Sequence, residues 1–550
     1  MDLQRSLLIA GLVVVGYLMV LQWNQDYNQP PAVSQVATQL PASNNPDVPV
    51  AHSASATTDA PALPNAPQAP APAETHAQLV TITTDALILT IDTRGGDIVR
   101  AELPKFPRVK GEPDPFTLLE NSTNRLFVAQ SGLIGPNGPD RLGKPVYSVE
   151  KTSYSLGNNE SMNVDLSMKT EDGVDITKRF TLTKGSYQVG VDYIVRNAGD
   201  SNWSGNFYAQ LKRDNSADPS QEMSKSSGMR TYLGGAVRSN AKTYDKRAFD
   251  KFSSDPFNES VAGGYAAVVQ HYFVTAWVPK QDQTNKFQTR VFNGDNILSV
   301  VEPQVTVAPG QTAQMGATLY AGPKNQKVLG QLAQGLDLTI DYGILWWFAK
   351  PLFLLLSFLH SVIGNWGFSI IALTMIVKGL FFPLSAASYR SMAKMRKVSP
   401  KMQALKEKHG DDRQALSQDM MKLYKEEKVN PMGGCLPILV QMPVFIALYW
   451  VLLESVELRQ APWLGWIQDL SQMDPYFILP LIMGASMFAQ QLLSPTPPDP
   501  MQAKVMKLMP VIFTFFFLWF PAGLVLYWVT NNLLSITQQW YVTKKIEAEG

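Results

Sequence analysis

The sequence predicts a multi-domain membrane protein. It has six transmembrane α-helices, an N-terminal anchor plus a five-helix core, with a large exported β-sandwich domain and a cytoplasmic helical hairpin. Three observations carry this. Long apolar runs are confined to residues 6–23 and to the chain beyond 343. Between them the pattern alternates apolar and polar with period two. Lys and Arg gather in alternate connections of the apolar part, as the positive-inside rule requires.

Composition narrows the function. The formal charge of +1 over 550 residues gives no global attraction to polyanions, so no nucleic-acid site is expected. Cys435 is the single cysteine, which excludes an internal disulfide, and it lies too far from the N-terminus to be an acylation site. His52, His76, His271, His360 and His409 share no metal-ligand spacing, so no metal is expected. The chain has no Walker P-loop, GxSxG elbow or HExxH. An enzyme or a cofactor is therefore not expected. Work on a partner must be driven by that partner's own partitioning or by the membrane potential.

Residues 1–23 form the first element. "SLLIAGLVVVGYLMVLQW" (6–23) is long enough for one span, Arg5 precedes it, and no Lys or Arg follows until Arg94. That places the N-terminus inside and the next region outside. No small-residue cleavage site directly follows, which favours an uncleaved anchor over a signal peptide. Residues 24–76 are rich in Pro, Ala, Ser, Asn and Gln and lack apolar periodicity, so an extended, disordered tether is expected. Residues 77–335 read as many short strands. "ALILTID" (86–92) runs into Gly95-Gly96, and Lys184-Gly185 separates Phe180 and Leu182 from Tyr187, Val189, Val191, Tyr193 and Val195. His271, in "VVQHYFVTAWV", reads as a buried strand residue.

Residues 344–384 are too long for one span, at roughly 60 Å of helix against a core of about 30 Å. "GNWG" (364–367) marks the break. Residues 344–363, with Trp346, Trp347, Lys350 and His360, suit an interfacial helix. The second span is then 366–384, running inward. Residues 385–432 carry eleven Lys and Arg against six Asp and Glu and are cytoplasmic. Met395, Val398, Met402 and Leu405 repeat at heptad spacing, "HGDD" with Asp411 and Asp412 marks a turn, and Leu416, Met420 and Leu423 continue a second stripe. This predicts an antiparallel helical hairpin. Further spans are expected at 434–453, 475–493, 506–520 and 522–541, followed by a cytoplasmic tail, 542–550. The fifth, bounded by Lys507 and Pro521, holds about thirteen apolar residues, or roughly 20 Å of helix. It is either a short span that thins the bilayer or a normal helix extended by its flanks.

Lys378 lies inside the second span. A mid-helix lysine costs roughly 2.5–3.5 kcal/mol on insertion scales. It either snorkels to the headgroups or faces a polar cavity. Thr374 is one helical turn away on the same face, and Gln441 sits in the inner half of the third span, followed by Met442 and Pro443. The last span carries Tyr527, Thr530, Asn531, Asn532, Ser535, Thr537, Gln538 and Gln539. These favour a wet recess open to the cytoplasm. The outer halves of the spans hold few polar residues, so the recess is a half-channel, not a through-pore.

The stretches "GNWGFSIIALTMIVKGLFFPLSAASYRSMAKMRKVSPKMQALKEKHGDD", "EEKVNPMGGCLPILVQMPVFIALYWVLLESVELRQAPW", "LPLIMGASMF" and "LMPVIFTFFFLWFPAGLVLYWVTNNLLSITQQ" resemble the YidC/Oxa/Alb family of membrane protein insertases. The resemblance covers essentially the whole chain. It implies a bacterial inner-membrane protein with cytoplasmic termini that inserts and helps fold membrane proteins, alone or with the Sec translocon. It implies five spans around a hydrophilic groove closed to the outside and open to cytoplasm and lipid, with one essential positive charge. Much of the family has arginine where this chain has Lys378, which keeps the charge but loses the planar fork. Thr374 matches a groove threonine, and Trp528, beside Tyr527, stands where a groove tyrosine is usual. Phe445, Met483 and Phe516 match an apolar path for a client helix. The exported domain is implied to be a periplasmic β-supersandwich, similar to sugar-binding folds, that contacts the Sec translocon. The hairpin is implied to meet incoming clients and the ribosome and signal-recognition targeting machinery. Implied partners are thus nascent membrane proteins with short polar or acidic tails, that machinery and the lipid bilayer. A solute transporter would need internal repeats and paired midplane sites, and a periplasmic carbohydrate enzyme would not need five further spans.

Overall fold

A computed structural model describes residues 77–548 apart from Leu142, 223–230, Asp411, 428–435 and 494–499. The expected anchor (1–23) and tether (24–76), together with Asp411 and Cys435, lie outside the described residues. The chain forms two units, one ending at Ile340 and the other starting at Asp341.

The first unit is built from an eleven-stranded and a nine-stranded sheet. Period-two sequence produces this arrangement. In the strand Gln188–Asn197, Val189, Val191, Tyr193 and Val195 are buried and alternate with less buried residues. The strand pairs antiparallel with Val174–Thr183, setting Val191 opposite Phe180, through a turn whose Gly185 has φ 70°. Gly95 and Gly96, at φ 77° and 64°, turn the chain between Ile88–Asp92 and Asp97–Pro107. The sheets face one another across a largely apolar layer with a few polar ties. The Tyr193 hydroxyl donates to Ser131 O at 2.8 Å, and the Trp277 indole donates to Gln210 O at 3.1 Å. Lys178 is buried with its ammonium on Gly95 O (2.9 Å) and Ser131 O (3.1 Å), above the rings of Tyr193 and Phe180. Asp140, also buried, accepts from Leu133 N at 2.9 Å. Burial pushes the Asp140 carboxyl up to about 7 and the Lys178 amine down to about 7.

His271 corrects an expectation. Ala266–Val269 and Phe273–Val278 are two strands of one hairpin, and His271 sits in the link between them. Gln270 N–H closes the turn on Phe273 O at 3.0 Å, the His271 N–H donates to Asp218 Oδ2 at 2.8 Å, and the imidazole stacks on Tyr272.

The second unit is helical. Its described helices are α1 (Trp346–Ile363), α2 (Trp366–Leu380), α3 (Phe382–His409), α4 (Arg413–Glu426), α5 (Leu436–Glu454), α6 (Ile478–Leu492), α7 (Pro500–Phe517) and α8 (Ala522–Ala548). "GNWG" is the break between α1 and α2. Gly364 ends α1 at φ 76°, and the Asn365 side chain caps α2 by accepting from Phe368 N. One face of α1 buries Ala349, Leu352, Phe353 and Leu356, while Trp346, Trp347, Leu354, Phe358 and Val362 on other faces are exposed. An apolar exposed face suits lipid or its interface.

Among the described residues, Gly343–Ile363 is the one helical stretch that is long and apolar enough by itself to cross a membrane. Trp366–Leu380 and Phe382–Met395 pass that test only as a pair, bent by 66°. The single helix expected over 366–384 is thus broken at Phe381. Pro383 explains the break, because it lacks an N–H and its ring clashes with the carbonyl four residues back, at Gly379. Helix α7 begins at Pro500, earlier than the expected 506, and its eighteen residues span about 27 Å. The flanks extend it, so its length gives no support to local thinning.

Helices α3 and α4 pack antiparallel. Val398 and Met402 are buried against Met395, Leu423 and Tyr424, while Leu405 is half-buried at the margin. Lys401 pairs with Glu427, and His409 meets Asp419 at 2.9 Å. Asp412, expected only to mark a turn in "HGDD", caps α4 by accepting from Gln414 N and Ala415 N.

Candidate functional recess

Lys378 sits in the last turn of α2 and is 6% exposed. Its ammonium donates to Ser535 Oγ of α8 at 2.7 Å and to Gln441 Oε1 of α5 at 3.4 Å. Gln441 Nε2 in turn donates to Asn531 Oδ1. The Ser535 hydroxyl donates its own proton to Asn531 O at 2.7 Å, one turn back, which turns its lone pairs toward the lysine. Among the described residues no carboxylate pairs with Lys378. A desolvated ammonium held only by neutral oxygens keeps unspent attraction for an anion, and low dielectric strengthens that attraction.

The helical period assembles this site. Asn531, Ser535 and Gln538 lie one turn apart on α8, and Gln538 Nε2 reaches Lys378 O at 3.5 Å, beside the broken end of α2. Asn532, one residue on, points to α6 and donates to Ser486 Oγ at 3.0 Å. Gln539 Nε2 caps the far end of α6 by donating to Leu493 O at 2.9 Å. Thr374 is buried as expected, but its hydroxyl donates to Ile370 O at 2.6 Å within its own helix. Ser486 was not singled out from sequence. Its one signal is a lone hydroxyl beside Gly484 in "LIMGASMF".

Tyr527 is buried with its ring stacked on Phe445. Trp528 meets Phe445 edge-on at 4.9 Å and Phe517 at 5.7 Å, and its indole N–H has no partner among the described residues. Phe516, exposed, packs on Phe517 and Phe520. These rings join Phe445 of α5 to Phe516 of α7. Met483 does not join them at the surface, because it is fully buried in α6. Met442 and Pro443 are exposed next to Gln441.

Residues 79–355 match the family model described as the YidC periplasmic domain, and residues 358–549 match the 60Kd inner membrane protein model. The membrane protein insertase YidC of Pseudomonas fluorescens (strain SBW25) is 56% identical over 556 residues, covering 100% of this chain and 99% of that relative. The same-named protein of Stutzerimonas stutzeri (strain A1501) is 56% identical over 555 residues, with 100% and 99% covered. A solved structure described as an active YidC insertase with its first transmembrane domain resolved overlaps 84% of this chain and 92% of its own, at 17% identity and a TM-score of 0.38. Full-length identity above half, and family models spanning both units, mean that this chain belongs to the YidC family of inner-membrane insertases with a periplasmic domain.

Proposed function

We propose that this chain inserts apolar segments into the bacterial inner membrane, and helps them fold, through the recess around Lys378. The observation that carries this reading is the buried ammonium with only neutral partners. A client arrives as an apolar helix with a short polar or acidic tail. The Lys378 charge draws the tail into the recess, displacing Gln441 or Ser535 as its partner. The apolar segment moves sideways into lipid along the rings of Phe445, Trp528 and Phe516. Partitioning supplies roughly −0.3 to −0.6 kcal/mol per Leu, Ile, Phe or Val. An inside-negative potential adds about 2.3 kcal/mol per acidic charge per 100 mV. No bond is made or broken, and no nucleotide is needed.

In this reading six spans leave both termini cytoplasmic, with 1–23 as the anchor and the α3–α4 hairpin in the cytoplasm. The basic hairpin is the contact for the ribosome and the targeting machinery, and the β-rich domain is the contact for the Sec translocon. The basic surface of the one and the exported side of the other support these assignments.

The test uses purified protein in liposomes and protease protection of a single-span client. Lys378→Arg retains insertion. Lys378→Glu lowers it about tenfold for acidic-tailed clients, on the scale of one lost charge-assisted contact, and less for neutral tails. Equal insertion of acidic-tailed clients by the Glu variant would refute the electrostatic step.

A further inference from the structure

Residues 455–477, which join α5 to α6, are folded tightly. Leu470 N–H donates to Ala461 O, and Trp463 N–H donates to Ile467 O, each at 3.0 Å. Ile467 and Leu470 are buried. The segment holds the ends of three helices. Asn365, the cap of α2, donates from Nδ2 to Pro462 O and Trp463 O at 3.3 and 3.2 Å. The Trp463 indole lies so close to Gly367 that a Cβ there would come within 2.0 Å of its Cδ1. At the first turn of α8, Ala522 N–H donates to Gln472 O at 2.7 Å and Gly523 N–H to Leu470 O at 2.9 Å.

The third helix, α6, is tied through Asp474, which is fully buried. Its Oδ1 accepts from the Trp466 indole N–H and from Tyr476 N, each at 3.0 Å, and its Oδ2 accepts from Leu479 N at 2.7 Å. Among the described residues no cation pairs with it, so these three donors are its compensation for burial. One comes from the middle of the segment, one from its end and one from the first turn of α6. Removing the carboxylate leaves the Leu479 N–H buried and unpaired, and takes the partner from two part-buried donors, the Trp466 indole and Tyr476 N.

We propose that Asp474 is the latch that holds this segment shut across the outer ends of α2, α6 and α8, and so makes the recess a dead end. It is a positioning residue that touches no client. The inference rests on the recess reading above and names what closes it. A simple helix cap would stabilise α6 alone. A latch also controls access from outside, because Trp466 lies in the turn that seats Trp463 against α2.

The test follows a cysteine at Ser535 (S535C) in the full chain with Cys435→Ser, using a membrane-impermeant maleimide supplied to either face. With Asp474 intact, label enters from the cytoplasmic face only. Asp474→Ala raises labelling from the outside at least about tenfold, the scale of one hydrogen bond to a charged group in an opening equilibrium. Trp466→Phe removes one donor and raises it about threefold, as expected for a weaker loss. Unchanged outside labelling in Asp474→Ala, with cytoplasmic labelling retained, overturns the latch. If Asp474→Ala fails to accumulate, unchanged outside labelling in Trp466→Phe overturns it. Absence of cytoplasmic labelling in the parent sinks the recess reading instead, and the outside arm still reports on Asp474.

Discussion

The Lys378 ammonium and the Ser535 hydroxyl lie 2.7 Å apart, and the hydroxyl proton is committed to Asn531 O. Serine therefore faces the lysine as an acceptor. This arrangement solvates a buried charge without neutralising it. Ser535→Ala should leave Lys378 with only the longer Gln441 contact and weaken client capture about threefold to tenfold, the scale of one hydrogen bond to a charge. Crosslinking yield to an acidic-tailed client measures it, and an unchanged yield would show that Ser535 does not solvate the charge.

Gln441 bridges Lys378 to Asn531. Gln441→Leu strips an acceptor from the ammonium and leaves the Asn531 amide oxygen unpaired. Insertion should fall severalfold, while Gln441→Glu should fall further for acidic-tailed clients, because a resident carboxylate pairs with the lysine. Protease protection with acidic and neutral tails separates the two effects. A Glu variant that prefers acidic tails would contradict the account.

The buried pair in the exported domain predicts a pH response. Asp140 is raised from 3.8 to about 7 by burial, so between those values the folded chain holds the extra proton and stability falls as pH rises. Lys178 is lowered from 10.5 to about 7 by burial, so between those values the unfolded chain holds the extra proton and stability rises with pH. Together they give a minimum near pH 7. Asp140→Asn should flatten the acid arm and, by removing a charge that raises Lys178, carry the alkaline arm to lower pH. Hydrogen exchange of the Leu126–Ile134 amides in the full chain, followed from pH 4 to 9, reads both arms.

Gly484 is the close approach of α6 to α7. A Cβ there would lie 1.9 Å from Thr514 Oγ1, which donates to Pro510 O. Gly484→Ala should cost about 1–3 kcal/mol through overpacking. Thr514→Ala should recover part of that loss, with a coupling of about 1 kcal/mol in a double-mutant cycle. Thermal unfolding in detergent measures it, and additivity would show that the helices part freely at this point.

Among the described residues, the antiparallel packing of α3 and α4 rests on few side chains. Met402→Ala should cost about 2 kcal/mol, at the low end for a buried methionine because this cluster is small. Disulfide trapping of cysteines at Lys401 and Glu427 should slow accordingly. Trapping at the parental rate would show that the pair is held from elsewhere.

Much of this architecture was legible locally. The turn at Lys184-Gly185, the caps at Gly364, Asn365 and Asp412, and the period-two face from Val189 to Val195 all follow from neighbours within a few residues. Where the structure departs from the sequence reading, the cause is in part local: Pro383 lacks an N–H and its ring clashes with Gly379 O, which breaks the helix expected over 366–384. The apolar count left a short fifth span and a flank-extended helix both open, and the Pro500 start of α7, which takes in the exposed Lys504 and Lys507, fits the second. His271 looked like a strand residue because a three-residue link, Gln270 to Tyr272, is too short to separate the two apolar runs.

The sequence by itself determined which stretches suit lipid, which form sheets and where positive charge gathers, because transfer free energy and backbone preference sum over adjacent residues. It also identified Lys378 as costly, and Gln441, Asn531 and Ser535 as polar company. Only the tertiary structure decided that Ser535, 157 residues away, holds the ammonium, that Thr374 is spent on its own helix, and that Asp474 joins the Trp466 indole to the first turn of α6. Hydrogen-bond pairing and burial belong to the packed helices, and no run of neighbouring residues contains them.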